Sequence, residues 1–433
     1  MFEVTCDVMR VEEKLAARNQ LDQPDVIMAV SEIMADIRRH GDAALRKYTL
    51  RHDKCQILEF KVSETEIEKA YGEIDPGFLG ILQKAIDNIR QYHERQSQES
   101  FLWEKEKGIL LGQRITPLER VGIYIPGGTA PLVSSVLMNA VPAVLAGVDR
   151  IIMCTPPRRD GTIDAERLVA AREAGVTDIY KAGGAQAIFA MAFGTESIPR
   201  VDKITGPGNI YVANAKKMAY GYCDIDMIAG PSEIMVIADE SANPAYVAAD
   251  LLSQAEHDEQ AGTVLCCRSR DFADRVNGEV QKQWEGLARR NIAGKSIRDY
   301  GIIYVNENLM ECVDCANRIA PEHLELHVEK AMDFIPLVRN AGAIFIGEFS
   351  PEPLGDYYAG PNHTLPTGGT ARFYSPLGVY DFCKKTSIIK YDQDALRKVH
   401  EEIETFARKE ELDAHARAIS IRFEGEDDGK PSQ

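Results

Sequence analysis

From Arg120 onward, short apolar runs alternate with longer helical stretches, and no other feature of the chain restricts its fold as strongly. The runs are 121–125, 150–155, 178–181, 203–205, 233–238, 263–266, 302–305 and 343–346. Strands and helices in alternation imply an α/β chain with largely parallel sheets, because the crossover helices cover the sheet faces. Before residue 120 the pattern is helical. Val26, Ile27, Val30, Ile33, Met34 and Ile37 recur at a 3.6-residue period, and Gly41 is expected to end that helix. Ser63 with Glu66 three residues on reads as a capping box. Residues 79–92 resume the helical period after Pro76-Gly77, and 394–421 are expected to be helical again, with 425–433 a frayed polar tail.

At 433 residues the chain can bury more than one core, so two or more domains are expected. Its net charge of -17 argues against nucleic acid as a partner, since phosphates need basic residues. No apolar run reaches the roughly 18 residues of a membrane span, and residues 1–10 lack a signal-peptide core. A cytoplasmic location is expected. The nine cysteines, an odd number, fit reduced thiols. Cys312 and Cys315 form one CxxC with no second pair, and are expected to pack on a helix face.

Several strands end in glycine-rich turns: Pro126-Gly127-Gly128-Thr129, 182–186, 206–209 and 229–232. Such turns admit a ligand beyond the carboxyl ends of parallel strands. They also read as the tight turns of any large α/β protein. The dinucleotide fingerprint is absent, because Tyr211 stands where its third glycine would be.

Residues 320–327 place a carboxylate and an imidazole side by side, Glu322 and His323, directly after Pro321. The proline is expected to stop the preceding helix and to push Ala320 toward an extended conformation. Residues 324–328 alternate apolar and polar, the pattern of a half-buried strand. A Glu-His pair on such a connection suits proton removal, although Glu-His dipeptides are also ordinary solvated loop residues. Gln254 and His257 are three apart on a helix beginning near Pro244, so both face one side. Asp356 and His363 lie in a glycine- and proline-rich stretch read as a loop, and His415 lies on an amphipathic helix over 410–421. Oxygen and imidazole donors suit Zn2+ in an open functional site. Taken singly, each also reads as an ordinary hydrogen-bonded residue.

Eight long segments, in order, resemble the histidinol dehydrogenase family. They are VGIYIPGGTAPLVSSVLMNAVPAVLAGV (121–148), AGGAQAIFAMAFGT (182–195), KITGPGNIYV (203–212), DMIAGPSEIMVIAD (226–239), LLSQAEHD (251–258), NRIAPEHLEL (317–326), GDYYAGPNHTLPTGGTARFYSPL (355–377) and LDAHARAI (412–419). The resemblance implies oxidation of L-histidinol through L-histidinal to L-histidine, the last step of histidine biosynthesis, with two NAD+ consumed at one zinc site. It implies Gln254, His257, Asp356 and His415 as Zn2+ ligands, and Glu322 and His323 as catalytic. Ser232, His363 and Glu410 would contact substrate beside His323 and the four ligand positions, while Tyr124, Gln186 and Asn209 would meet NAD+. His323 would act as base for the alcohol and again for the aldehyde hydrate, and Glu322 would take a proton from water.

The fold implied is a pair of Rossmann-like α/β domains with small N- and C-terminal helical extensions, in a tail-exchanged homodimer that supplies His415 across the interface. The boundaries expected are 1–20, an N-terminal extension; 21–123 with 232–377, the main domain; 124–231, a nucleotide-binding domain; and 378–433, a dimerisation tail. Two departures stand out: Glu411 where many relatives have glycine before Leu412, and Asp258-Glu259 where they often have Gly-Pro. Three rival readings are a thiol-dependent aldehyde dehydrogenase, a zinc dehydrogenase of a small diol, and a non-catalytic metal-binding relative. The first needs an exposed nucleophilic cysteine, yet Cys154, Cys266 and Cys267 lie in or at the end of strand runs.

Overall fold

Two parallel sheets carry the first of two units in the computed structural model, which describes residues 1–18, 22–127 and 132–424. Gly128 and Thr129 of the first glycine-rich turn, and the tail 425–433, lie outside the described residues. The strands in chain order are β1 (Glu3–Thr5), β2 (Phe101–Glu106), β3 (Ile109–Pro117), β4 (Arg120–Tyr124), β5 (Arg150–Thr155), β6 (Asp178–Lys181) and β7 (Lys203–Thr205). They continue with β8 (Asp224–Ile225), β9 (Glu233–Ala238), β10 (Gly262–Cys267), β11 (Gly301–Val305), β12 (His323–His327), β13 (Ala343–Ile346) and β14 (Cys383–Tyr391). Every apolar run of the sequence became a strand.

The first unit comprises 1–97 and 117–382. One of its sheets has the order β6-β5-β4-β7-β8 and the other β1-β11-β10-β9-β12-β13, all pairs parallel. Setting β1 aside, each sheet places its first strand centrally, adds the next two on one side and the last two on the other. That is the order of doubly wound nucleotide-binding sheets. The central strands β4 and β9 are buried on both faces, which is why they read as continuous apolar runs.

At Gly41 (φ 47°, ψ -125°) the helix breaks as its sequence indicates, and a second helical stretch follows directly within Pro24–Asp53. A backbone break at glycine costs little, and Ala44, Leu45 and Tyr48 restore the buried stripe beyond it. Two local expectations are corrected. Ala320 is left-handed rather than extended (φ 53°, ψ 63°), because it caps the Leu309–Ile319 helix and donates its N–H to the Ala316 carbonyl at 2.7 Å. β12 is not half-buried but wholly buried. Leu324 and Leu326 join a core with Cys312, Cys315 and Ala316. The polar alternates face inward instead, His327 Nε2 standing 3.3 Å from Glu325 Oε2 and 3.7 Å from Asp250 Oδ2. Two further expectations held: the Ser63–Glu66 capping box forms, and Cys312 and Cys315 are buried packing residues.

The second unit joins 98–116 to 383–433 around the sheet β14-β3-β2. The helix expected over 410–421 is shorter. His400–Lys409 ends at Glu410, Glu411 turns left-handed (φ 59°), and a new helix runs Asp413–Ser420. The Leu412 N–H reaches back to the Ala407 carbonyl at 2.9 Å, the closing bond of a Schellman turn.

Candidate active site

The carboxyl ends of β4, β7 and β8 and the amino ends of β9, β10 and β12 border one cavity of about 700 Å³. One sheet therefore offers its usual ligand-binding edge, and the other offers the opposite edge. Ser232, Gln254, His257, Glu322, His323, Asp356 and His363 all line this cavity. Residues that stand far apart in the sequence are thus brought together.

Glu322 and His323 are held by a residue the sequence did not point to. The Glu233 N–H donates to Glu322 Oε2 at 2.9 Å, and His323 Nδ1 lies 3.0 Å from the Glu233 carbonyl oxygen. A carbonyl only accepts, so Nδ1 carries the proton and Nε2 is left with its lone pair. That Nε2 is buried with no hydrogen-bond partner, 3.9 Å from Asp356 Oδ1. Burial lowers the His323 pKa to about 4, against the opposing pull of the Glu233 carbonyl, so the ring is neutral at pH 7. For Glu322, burial pushes the pKa well up and the Glu233 N–H draws it part of the way back.

Glu233 is itself clamped by Arg18. The guanidinium reaches Glu233 Oε2 at 2.6 Å, the Pro231 and Ser232 carbonyls at 2.7 and 2.8 Å, and the Gln260 carbonyl at 2.7 Å. Both partners of the ion pair are buried. Nothing in the sequence near Arg18 signals this, since its partners lie more than 200 residues away.

The donor groups converge from two helices. Gln254 sits in the last turn of Pro244–Ala255, and His257 lies just beyond that helix, tied back by its N–H to the Gln254 carbonyl at 3.2 Å. The stretch holding Asp356 is not all loop, because Glu352–Tyr357 is a short helix. Its i, i+4 geometry puts Glu352 beside Asp356, and one ligand atom each from His257, Glu352 and Asp356 lies within 4.8 Å of the others. Reading the stretch as a loop hid Glu352. Burial and the neighbouring Asp356 carboxylate push the Glu352 carboxyl up, and burial pushes that of Asp356 up as well. Both amide atoms of Gln254 are buried without a partner. The unpaired Gln254 amide, with the His257 imidazole and the Glu352 and Asp356 carboxylates in one cluster, fits a divalent cation. His363 completes this side, its Nδ1 3.0 Å from the Asp356 carbonyl oxygen and its pKa lowered to about 4 by burial.

Glu410 and His415 belong to the second unit. Glu410 caps the end of His400–Lys409, His415 lies on Asp413–Ser420, and both are exposed.

Tyr124, Gln186 and Asn209 line another cavity of about 900 Å³. The Tyr124 hydroxyl accepts the Gly184 N–H at 2.9 Å, and Asn209 caps Ile210–Ala219 by accepting the N–H groups of Tyr211 and Val212. A Cβ on Gly206 (φ 112°) would fall 2.1 Å from the Tyr124 carbonyl oxygen, so only glycine fits there. Pro126, Gly127 and Asn209 line both cavities. Among the described residues no cysteine lines either, and burial raises the Cys154, Cys266 and Cys267 thiols. The thiol mechanism has no nucleophile here.

Comparison with known proteins gives one answer. A family model described as histidinol dehydrogenase matches residues 16–423. Histidinol dehydrogenase of Halalkalibacterium halodurans is 53% identical over 421 residues, 97% of this chain and 99% of that protein. The Bacillus subtilis protein of the same name is 52% identical over 412 residues, 95% and 96% of the two chains. The crystal structure of histidinol dehydrogenase from Elizabethkingia anophelis superposes with a TM-score of 0.92 at 39% identity, covering 98% of each chain. The chain belongs to the histidinol dehydrogenase family.

Proposed function

We propose that the chain oxidises L-histidinol to L-histidine in two steps, passing a hydride to NAD+ in each, with Zn2+ at the wall formed by Gln254, His257 and Asp356. The observation that carries this reading is the unpartnered, neutral Nε2 of His323, its other nitrogen fixed on the Glu233 carbonyl. In the first step His323 Nε2 takes the hydroxyl proton as the hydride leaves the carbinol carbon. In the second, Glu322 removes a proton from the water that adds to the aldehyde while protonated His323 returns its proton to the aldehyde oxygen, and the freed His323 then takes a hydroxyl proton of the hydrate as the second hydride departs. Burial strengthens Glu322 as a base and keeps the His323 ring neutral and free to accept, at the cost of a weaker imidazole base. When bound, the cation supplies a fixed positive charge that holds the substrate's nitrogens. His363 and Ser232 line the same space and would touch the substrate.

His415 and Glu410 would enter from the partner subunit of a homodimer. The second unit supports this by exposing Trp103, Ile389, Phe406, Leu412 and Ile421 around its tail, apolar surface that a partner would cover. No described helix is long and apolar enough to cross a membrane; the place of action proposed is the cytoplasm. The test is NAD+ reduction with L-histidinol against other alcohols, with the product identified. Two equivalents of NADH per L-histidine formed are expected; equal rates with an unrelated alcohol would overturn the assignment.

A further inference from the structure

The 900 Å³ cavity extends away from the catalytic one. Its near end is marked by the shared Pro126, Gly127 and Asn209, whereas Tyr48, Asp53 and their neighbours on the Pro24–Asp53 helix line it alone. A dinucleotide whose nicotinamide meets His323 must therefore lay its adenosine half against that helix. At this far end Asp53 closes the helix, and its Oδ2 is buried with no hydrogen-bond partner. Tyr48 and His52 stack beside it, ring centroids 6.1 Å apart and planes 8° from parallel, a flat step of the kind a purine can extend. Arg158, on the same cavity, is paired with Asp164, and Arg167 bonds the Thr155 hydroxyl at 2.9 Å. The exposed Arg51 and Arg159 stand on the rim, where a pyrophosphate would pass.

We propose that Asp53 accepts the ribose hydroxyls of the adenosine half and thereby selects a free 2′-hydroxyl over a 2′-phosphate. The assignment rests on the NAD+-linked reaction proposed above. A carboxylate with an unsatisfied buried oxygen lacks hydrogen-bond donors, and a vicinal diol brings two. A 2′-phosphate would bring like charge against it instead. Burial alone raises the Asp53 pKa to about 6, in line with a group that awaits donors and has no cation against it.

Binding decides this without turnover. Calorimetry would compare ADP-ribose, 2′-phospho-ADP-ribose and inosine diphosphate ribose, the last lacking the purine amine, on wild type, Asp53→Asn and Asp53→Ala. Wild type is expected to bind ADP-ribose at least about tenfold tighter than the 2′-phosphate and to hold the inosine analogue equally well. Asp53→Ala should lose roughly 10- to 100-fold on ADP-ribose, with Asp53→Asn between, and the 2′-phosphate discrimination should shrink in step. A thermal melt at or above that of wild type shows that the variants are folded. Unchanged ADP-ribose affinity in folded Asp53→Ala overturns the assignment. So does a loss confined to discrimination against the inosine analogue, which would mean that Asp53 reads the base. A wild type that reduces NAD+ with L-histidinol yet binds none of the three probes overturns the placement of the adenosine half. Failure to reduce NAD+ at all would count against the proposed reaction, not against Asp53 alone.

Discussion

His323 and Glu233 are joined through the main chain, imidazole Nδ1 to carbonyl oxygen at 3.0 Å, and the same peptide unit's residue gives its N–H to Glu322. One residue at the amino end of β9 thus sets the tautomer of the base and the direction of the acid. Glu322→Gln and His323→Asn should consequently fail differently. The Glu322 variant should keep reduction of L-histidinal by NADH, which needs no activated water, and lose most oxidation of L-histidinal. The His323 variant should slow both by a factor of about 10² to 10⁴. Equal loss of histidinal reduction in the two variants would contradict this division.

Arg18 should matter to the stability of the cavity wall that it helps to form. Breaking one partner of a buried pair costs about 3–5 kcal/mol, because the other charge is stranded. Arg18→Met should therefore melt well below wild type, and Arg18→Met with Glu233→Gln should recover part of the difference. A double variant no more stable than Arg18→Met would show that the carbonyl contacts, not the ion pair, dominate.

Chelation should abolish activity, and Zn2+ should restore it. Metal-free protein should also melt lower, since a ligand bound only by the folded state stabilises it. Full turnover by protein shown by elemental analysis to lack metal would remove the cation from the reaction.

Asp53→Asn should stabilise the apo protein at pH 7. The folded pKa of about 6 lies above the ordinary aspartate value of 3.8, so the acid is penalised once it ionises. The penalty is absent below about pH 3.8, grows as the pH rises through 6, and then levels off. Discounted for partial exposure, the gain should be about 1–2 kcal/mol at pH 7 and shrink as the pH is lowered to about 4. Urea melts at several pH values measure this; a gain independent of pH would place its origin elsewhere.

Tail exchange predicts complementation between two inactive variants, His257→Ala and His415→Ala. Unfolded together in equal amounts and refolded, about half the dimers should be mixed, each with one site carrying both lesions and one carrying neither. Roughly a quarter of all sites should regain activity. No recovery, with mixed dimers verified by mass, would show that His415 serves its own chain.

The strands and the cluster of cavity residues were legible because both rest on local signals: apolar runs bounded by glycine, and motifs long enough to be specific. What escaped lay in contacts between distant segments. Arg18 reaches β9 from the far end of the unit, and the Glu233 peptide acts through atoms that every residue possesses. β12 was misjudged for a related reason. Alternation predicts one polar face but not what that face meets, and here it meets Asp250 of a helix instead of water. The hairpin of β2 and β3 went unseen because its outer strand is exposed along its whole length and no alternation marks a buried side.

Pro126, Gly127 and Asn209 line both cavities, so the two meet at these residues. A reaction that fills the dinucleotide position twice must empty it once in between. A carrier lodged in the larger cavity can be exchanged while the aldehyde keeps its place in the smaller one. A reactive intermediate that would otherwise form imines with any amine nearby then stays beside His323 and Glu322.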